Sequence, residues 1–183
     1  MGTARCSGIA FAALLAALIS NEAAGAECGN NAIDACLIGA WQQTGGGAAE
    51  WMRENMKMAQ VKMSASNAVI TLNRDGTLST SQVDTKAEVA AKGAEMQASA
   101  QMTSQGGGQW SAAEGKLTLC MDAVASTGSA QLKLPNGMTL AMPMQQAKPS
   151  VSTMSYTCSG DTLSTVQPMP NNATMTTTYS RVR

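Results

Sequence analysis

An all-β domain, an antiparallel sandwich or barrel, is the fold class this sequence predicts, and three observations predict it. Short runs of alternating or β-branched residues recur along the chain, turn-forming spacers separate them, and two of those spacers have the chemistry of tight hairpins.

The first segment is an address. Residues 1–26 carry a basic Arg5, an apolar run from Ile9 to Ile19 and a small-residue end, Ala24-Gly25-Ala26, which together read as a secretory signal peptide. The mature domain is then 27–183, and a bacterial periplasmic or secreted location follows. The apolar run is too short to span a bilayer, and no later stretch is long and apolar enough, so no transmembrane segment is expected. Cleavage removes one charge of each sign, Arg5 and Glu22, together with Cys6 and Phe11.

A first strand is expected around Leu37–Trp41, ended by Gly45-Gly46-Gly47. Between about 48 and 64 the period changes. Ala48, Met52, Met56, Ala59 and Met63 recur at helical spacing, with Arg53, Glu54, Lys57, Gln60 and Lys62 on the other side, so an inserted amphipathic helix is expected there. Val69–Leu72 and Thr77–Thr80 flank Asn73-Arg74-Asp75-Gly76, whose Gly supplies the positive φ of a hairpin. Gln131–Leu134 and Met138–Met142 flank Pro135-Asn136-Gly137 by the same logic.

The stretch 84–104 carries two signals. Its Ala, Glu, Lys and Gln favour helix by propensity, yet from Ala94 onward Ala and Met alternate with polar residues, and a strand is expected from there. Further short strands are read at 109–111, 116–120, 151–158, 162–166 and 174–181.

Composition narrows the function. Among 183 residues there is no His, so Ser-His-Asp and Cys-His catalysis and His-ligated zinc are excluded. Twelve basic and twelve acidic residues leave no net charge, which argues against a nucleic-acid surface. No pair of carboxylates is placed by sequence for acid–base work; Asp75 and Asp161 read as turn residues, and the glycine triplets lack the Lys-Ser/Thr of a phosphate loop. A non-enzymatic protein without a cofactor is the expectation.

Four cysteines remain after cleavage, Cys28, Cys36, Cys120 and Cys158, an even count in an exported chain and hence two disulfides. Of the three possible pairings, Cys28–Cys36 with Cys120–Cys158 is favoured. The methionines raise an alternative. All but Met1 of fourteen lie in the mature chain, and thioethers suit Cu(I). Met52 and Met56 on the helix, with Met142 and Met144 flanking Pro143, are the candidate ligands, against the commoner use of Met as core filler.

Several runs taken together resemble bacterial lipocalin-like domains, which are calycin-type barrels: Cys36–Trp41 with its Gly39-Ala40-Trp41, Ile70–Thr77, Gly108-Gln109-Trp110, Lys116–Leu119, Tyr156 with Gly160-Asp161-Thr162-Leu163, and Tyr179-Ser180-Arg181. The resemblance implies an antiparallel barrel of about eight to ten short strands, with Trp41 at the closed end and Arg181 packed across its ring as structural residues. It further implies reversible binding of a small apolar ligand in the barrel mouth, a packed interior being the alternative. A third reading is a protein-binding module like the periplasmic protease inhibitors, with Glu27–Asp34 as a presented arm; no particular protein partner is indicated.

Overall fold

The computed structural model describes residues 32–55, 59–65, 68–91, 97–122, 124–142 and 148–183. The expected leader 1–26, Cys28, Met56, Met144 and the start of the proposed arm lie outside them. Thirteen strands and one α-helix occur among the described residues: β1 (Gly39–Gly46), α1 (Ala48–Asn55), β2 (Ala59–Ala65), β3 (Val69–Leu72), β4 (Thr77–Thr80), β5 (Val83–Ala91), β6 (Gln97–Gln105), β7 (Gly107–Ala113), β8 (Lys116–Met121), β9 (Ala125–Lys133), β10 (Thr139–Met142), β11 (Ser150–Ser159), β12 (Thr162–Pro168) and β13 (Thr174–Arg181). Eight of them, in the order β1-β13-β12-β11-β8-β7-β4-β3, close an antiparallel barrel, compatible with a lipocalin-like fold; the other five form a second antiparallel sheet, β10-β9-β6-β5-β2. The sequence signals anticipate the barrel and, in the second sheet, the β9–β10 hairpin and the strand β6, but not that five strands form a sheet of their own.

In an up-and-down barrel, alternate connections fall at the same end. The three tight turns, Asn73–Gly76, Glu114-Gly115 and Gly160-Asp161, therefore share one end. The three long connections, β1 to β3, β4 to β7 and β8 to β11, leave from the other, and these build α1 and the second sheet. The β3–β4 turn forms as its residues dictate: Asp75 Oδ1 accepts from the Thr77 N–H at 3.0 Å and from its hydroxyl at 2.6 Å.

Alternation places Trp41, Leu72, Leu78, Trp110, Leu117, Met154 and Leu163 inside the barrel, where with Leu37 from a 3-10 turn (Ala35–Leu37) they make the core. This core occupies the end with the tight turns.

One expectation about local structure fails, and one ambiguity is resolved. The helix stops at Asn55, and β2 replaces its second half. Gln60, Lys62 and Ser64 also fit a two-residue period, and pairing with β5 (Lys62 opposite Glu88, Met63 opposite Ala87) settles the choice. Likewise Val83–Ala91 is strand despite its helical propensity, because Thr85, Ala87 and Val89 face Met102, Ala100 and Ala98 across β6.

The second sheet is amphipathic. Met63, Ala87, Ala100, Ala130 and Met142 lie opposite one another across five strands on one face, beside the row Val89, Ala98, Leu132 and Leu140. Lys62, Glu88, Ser99 and Gln131 lie on the other face. Leu140 on the edge strand is 44% exposed. No helix among the described residues is long and apolar enough to cross a membrane.

The division between a close-packed barrel and a single-layer sheet is measurable. Leu163→Ala, at 1% exposure, is expected to lower the free energy of unfolding by about 3 kcal/mol. Ala100→Ser on the half-buried sheet face should cost under about 1 kcal/mol, both read by urea denaturation.

Candidate functional site

The closed end is held by side chains from both termini. The Arg181 guanidinium lies 4.2 Å from the centroid of the Trp41 ring. Its Nη1 donates to the Ile38 carbonyl at 2.6 Å and its Nη2 to the Cys36 carbonyl at 2.7 Å, while the Trp41 indole N–H donates to the Leu37 carbonyl at 2.8 Å. Gly39 is required here: a Cβ at that position would sit 2.5 Å from Arg181 Nη1, and its φ of +138° disfavours other residues. The Gly-x-Trp spacing thus clears a path for the arginine that covers the tryptophan.

The chain before β1 is fixed to the same end. Ala112 N–H donates to the Ala32 carbonyl at 2.7 Å. Asp34 accepts from the Tyr156 hydroxyl at 2.6 Å and from the Cys36 N–H at 2.8 Å. Residues 32–38 are therefore bound to the barrel and are not part of a free arm. The Tyr156 hydrogen bond, then that from Cys36, holds the Asp34 carboxyl below its usual value. Burial, then the Asp34 carboxylate, pushes Tyr156 up to about 12.

The disulfide pairing differs from the expectation. Cys36 is bonded to Cys158, with Cα atoms 6.1 Å apart, which overturns both Cys28–Cys36 and Cys120–Cys158. The 3-10 turn passes beneath the barrel and meets the end of β11 there, a proximity that spacing along the chain does not reveal. Cys120 is also disulfide-bonded.

Above the apolar floor the barrel interior changes character. Thr165 and Thr177 are buried, only 4% and 6% exposed, and both hydrogen-bond the Tyr179 hydroxyl; burial pushes Tyr179 above its ordinary value. Nearer the open end the inward positions are half-buried: Met121, Ser152, Gln167 and Met175. Their side follows from register, since Gln167 faces Met175 one step beyond the buried Thr165–Thr177 pair. Alternation along β12 and β13 could have marked Thr165 and Thr177 as inward, but their polarity matches their outward neighbours, so hydropathy gave no signal.

A separate groove of about 500 Å³ lies on the outer wall, between α1 and β13, lined by Glu50, Trp51, Glu54, Thr176 and Thr178 among others. Glu50 is engaged as acceptor from the Gly46 N–H at 3.1 Å.

The methionine candidates are spread out. Met52 is half-buried on α1, which packs against β2, while Met142 is on β10 at the opposite edge of the second sheet. Four strand spacings, roughly 19 Å, separate those edges.

Fold and site together define a closed eight-stranded antiparallel barrel whose close-packed core lies at the tight-turn end. No family model matches the chain, and no curated protein or solved structure matches it either.

Two outcomes are expected at the closed end. Arg181→Lys and Gly39→Ala should each destabilise by about 2 kcal/mol in chemical denaturation, and the double variant by less than the sum, because both act on the same guanidinium. In a pH series, Asp34's depressed value makes its contribution complete above the unfolded value of 3.8 and lost as pH falls through the folded one. Tyr156's raised value makes its contribution complete below 10.0 and lost as pH climbs through about 12. Asp34→Asn should flatten the acid limb and cost about 1 kcal/mol at neutral pH.

Proposed function

We propose that the protein is an exported, non-catalytic binding protein that holds a small, mainly apolar molecule at the open end of its barrel. One observation carries this reading: the interior is close-packed from Leu37 to Trp110 at the sealed end and only half-buried at Met121, Ser152, Gln167 and Met175. A site with two thioethers and a few hydrogen-bonding groups suits a ligand that is apolar over most of its surface and polar at one point. The Cys36–Cys158 bond supports an oxidising compartment.

Native mass spectrometry of protein taken from an exporting host without refolding tests the reading. The expected spectrum carries an added mass of organic size that disappears in Met121→Glu. A bare wild-type mass would favour a filled barrel. The denatured mass should correspond to a chain starting near Glu27 and lacking four hydrogens, as two disulfides require.

A further inference from the structure

The methionines and the leucines of this chain are distributed differently. Nine of the fourteen methionines lie among the described residues, and of those nine Met154 alone is buried. Of the nine described leucines, five are buried. The two side chains have similar volume and exchange readily in cores, so packing demand alone would place them alike. Here the core is built from leucine and tryptophan, and the thioethers are left within reach of solvent.

They are also dispersed. Met52 is on α1, and Met138, 55% exposed, follows the β9–β10 turn. Met63 and Met142 stand at opposite edges of the second sheet, with Met102 one side-chain step along β6 from the row that joins them. Binding a soft metal ion needs two or more thioethers converging on one point. Reaction with an oxidant needs one sulfur at a time, which each of these positions offers. Their flanks are small: Thr85 and Gly128 lie across from Met102, and Ala130 across from Met142. A sulfoxide oxygen there is open to hydration, whereas on Met154 it would add a polar group to the core. Competing groups are withdrawn. Cys36, Cys120 and Cys158 are disulfide-bonded, and Trp41 and Trp110 are buried.

We propose that the accessible methionines are a sacrificial trap for hypohalous acids, an activity independent of what the barrel mouth holds. The sulfur lone pair takes the halogen of the hypohalous acid and releases hydroxide. Water then displaces halide at sulfur and loses two protons, leaving the S=O bond. Sulfur is oxidised by two electrons and the halogen reduced by two, so each thioether consumes one oxidant. The fold survives because the sulfurs that react are not the ones that pack its core.

Titration of the full mature protein with hypochlorous acid, followed by intact mass and peptide mapping, tests it. Oxygen should appear on Met102, Met138 and Met142 at least about tenfold faster than on Met154, with the urea midpoint of the oxidised protein unchanged. The triple variant Met102→Leu, Met138→Leu, Met142→Leu keeps the apolar volume and spares Met121 and Met175 of the barrel mouth. It should consume about three equivalents fewer and leave that oxidant to an added bystander, N-acetylmethionine. Oxidation of Met154 in step with the other three would overturn the trap. So would loss of the fold with the first equivalents, or a triple variant that spares the bystander as well as the wild type does. The mapping on the wild type decides alone if the triple variant does not fold.

Discussion

One guanidinium holds the sealed end of this molecule together. Arg181 sits in the last strand, yet its partners are the first strand's Trp41, the carbonyls of Ile38 and Cys36 just before that strand, and the turn at Gly160-Asp161. Two backbone carbonyls at a barrel end have no ladder partner, and burying them unsatisfied is costly. Arg181 supplies planar donors for both and covers the indole with its delocalised charge. Lysine could supply charge but not the fork. The Cys36–Cys158 bond and the Asp34–Tyr156 hydrogen bond add two further ties within the same few residues. The seam between β1 and β13 is where a sheet becomes a barrel, and it is here that covalent, ionic and hydrogen-bonded restraints concentrate.

Sealing one end frees the other. With the core confined to the tight-turn end, three of the four connections at the opposite end can lengthen without disturbing packing, since loop closure costs rise only slowly with length. Two of them, β4 to β7 and β8 to β11, supply β5, β6, β9 and β10, and the third supplies α1 and β2. A five-stranded single layer would be marginal alone; continuity with β4, β7 and β8 fixes its register. Its edges are managed modestly. β10 is four residues long, and β2 carries Lys62, two devices that discourage edge-to-edge pairing.

Much of the barrel was legible because its signals are local. Asp75-Gly76 fixes a turn whatever surrounds it, and the strands read at 69–72, 77–80 and 174–181 have those same limits. Gly39-Ala40-Trp41 and Arg181 were legible through resemblance, and the geometry supplies the reason for the glycine. Where the reading failed, the deciding contact was distant in sequence. The run 59–65 fits a helix face and a strand equally well, and only β5 distinguishes them. Spacing along the chain favoured Cys28–Cys36, whereas the fold brings Cys36 against a residue 122 positions away. The hydroxyl belt of Thr165, Thr177 and Tyr179 left no trace in hydropathy, because the outward residues of β13 are threonines too.

The scarcity of aromatic side chains explains the division of labour between the two sheets. Trp41 and Trp110 are both spent on the sealed floor, where large rings fill volume that Ala and Leu cannot. The inward face beyond Gly106 carries Ala, Met, Val and Leu together with Thr85, Ser104 and Ser126, a set without a large ring that cannot close a second core across a single sheet. A surface that is apolar, one layer thick and continuous with a half-buried barrel mouth is therefore the direct consequence of where the two tryptophans lie.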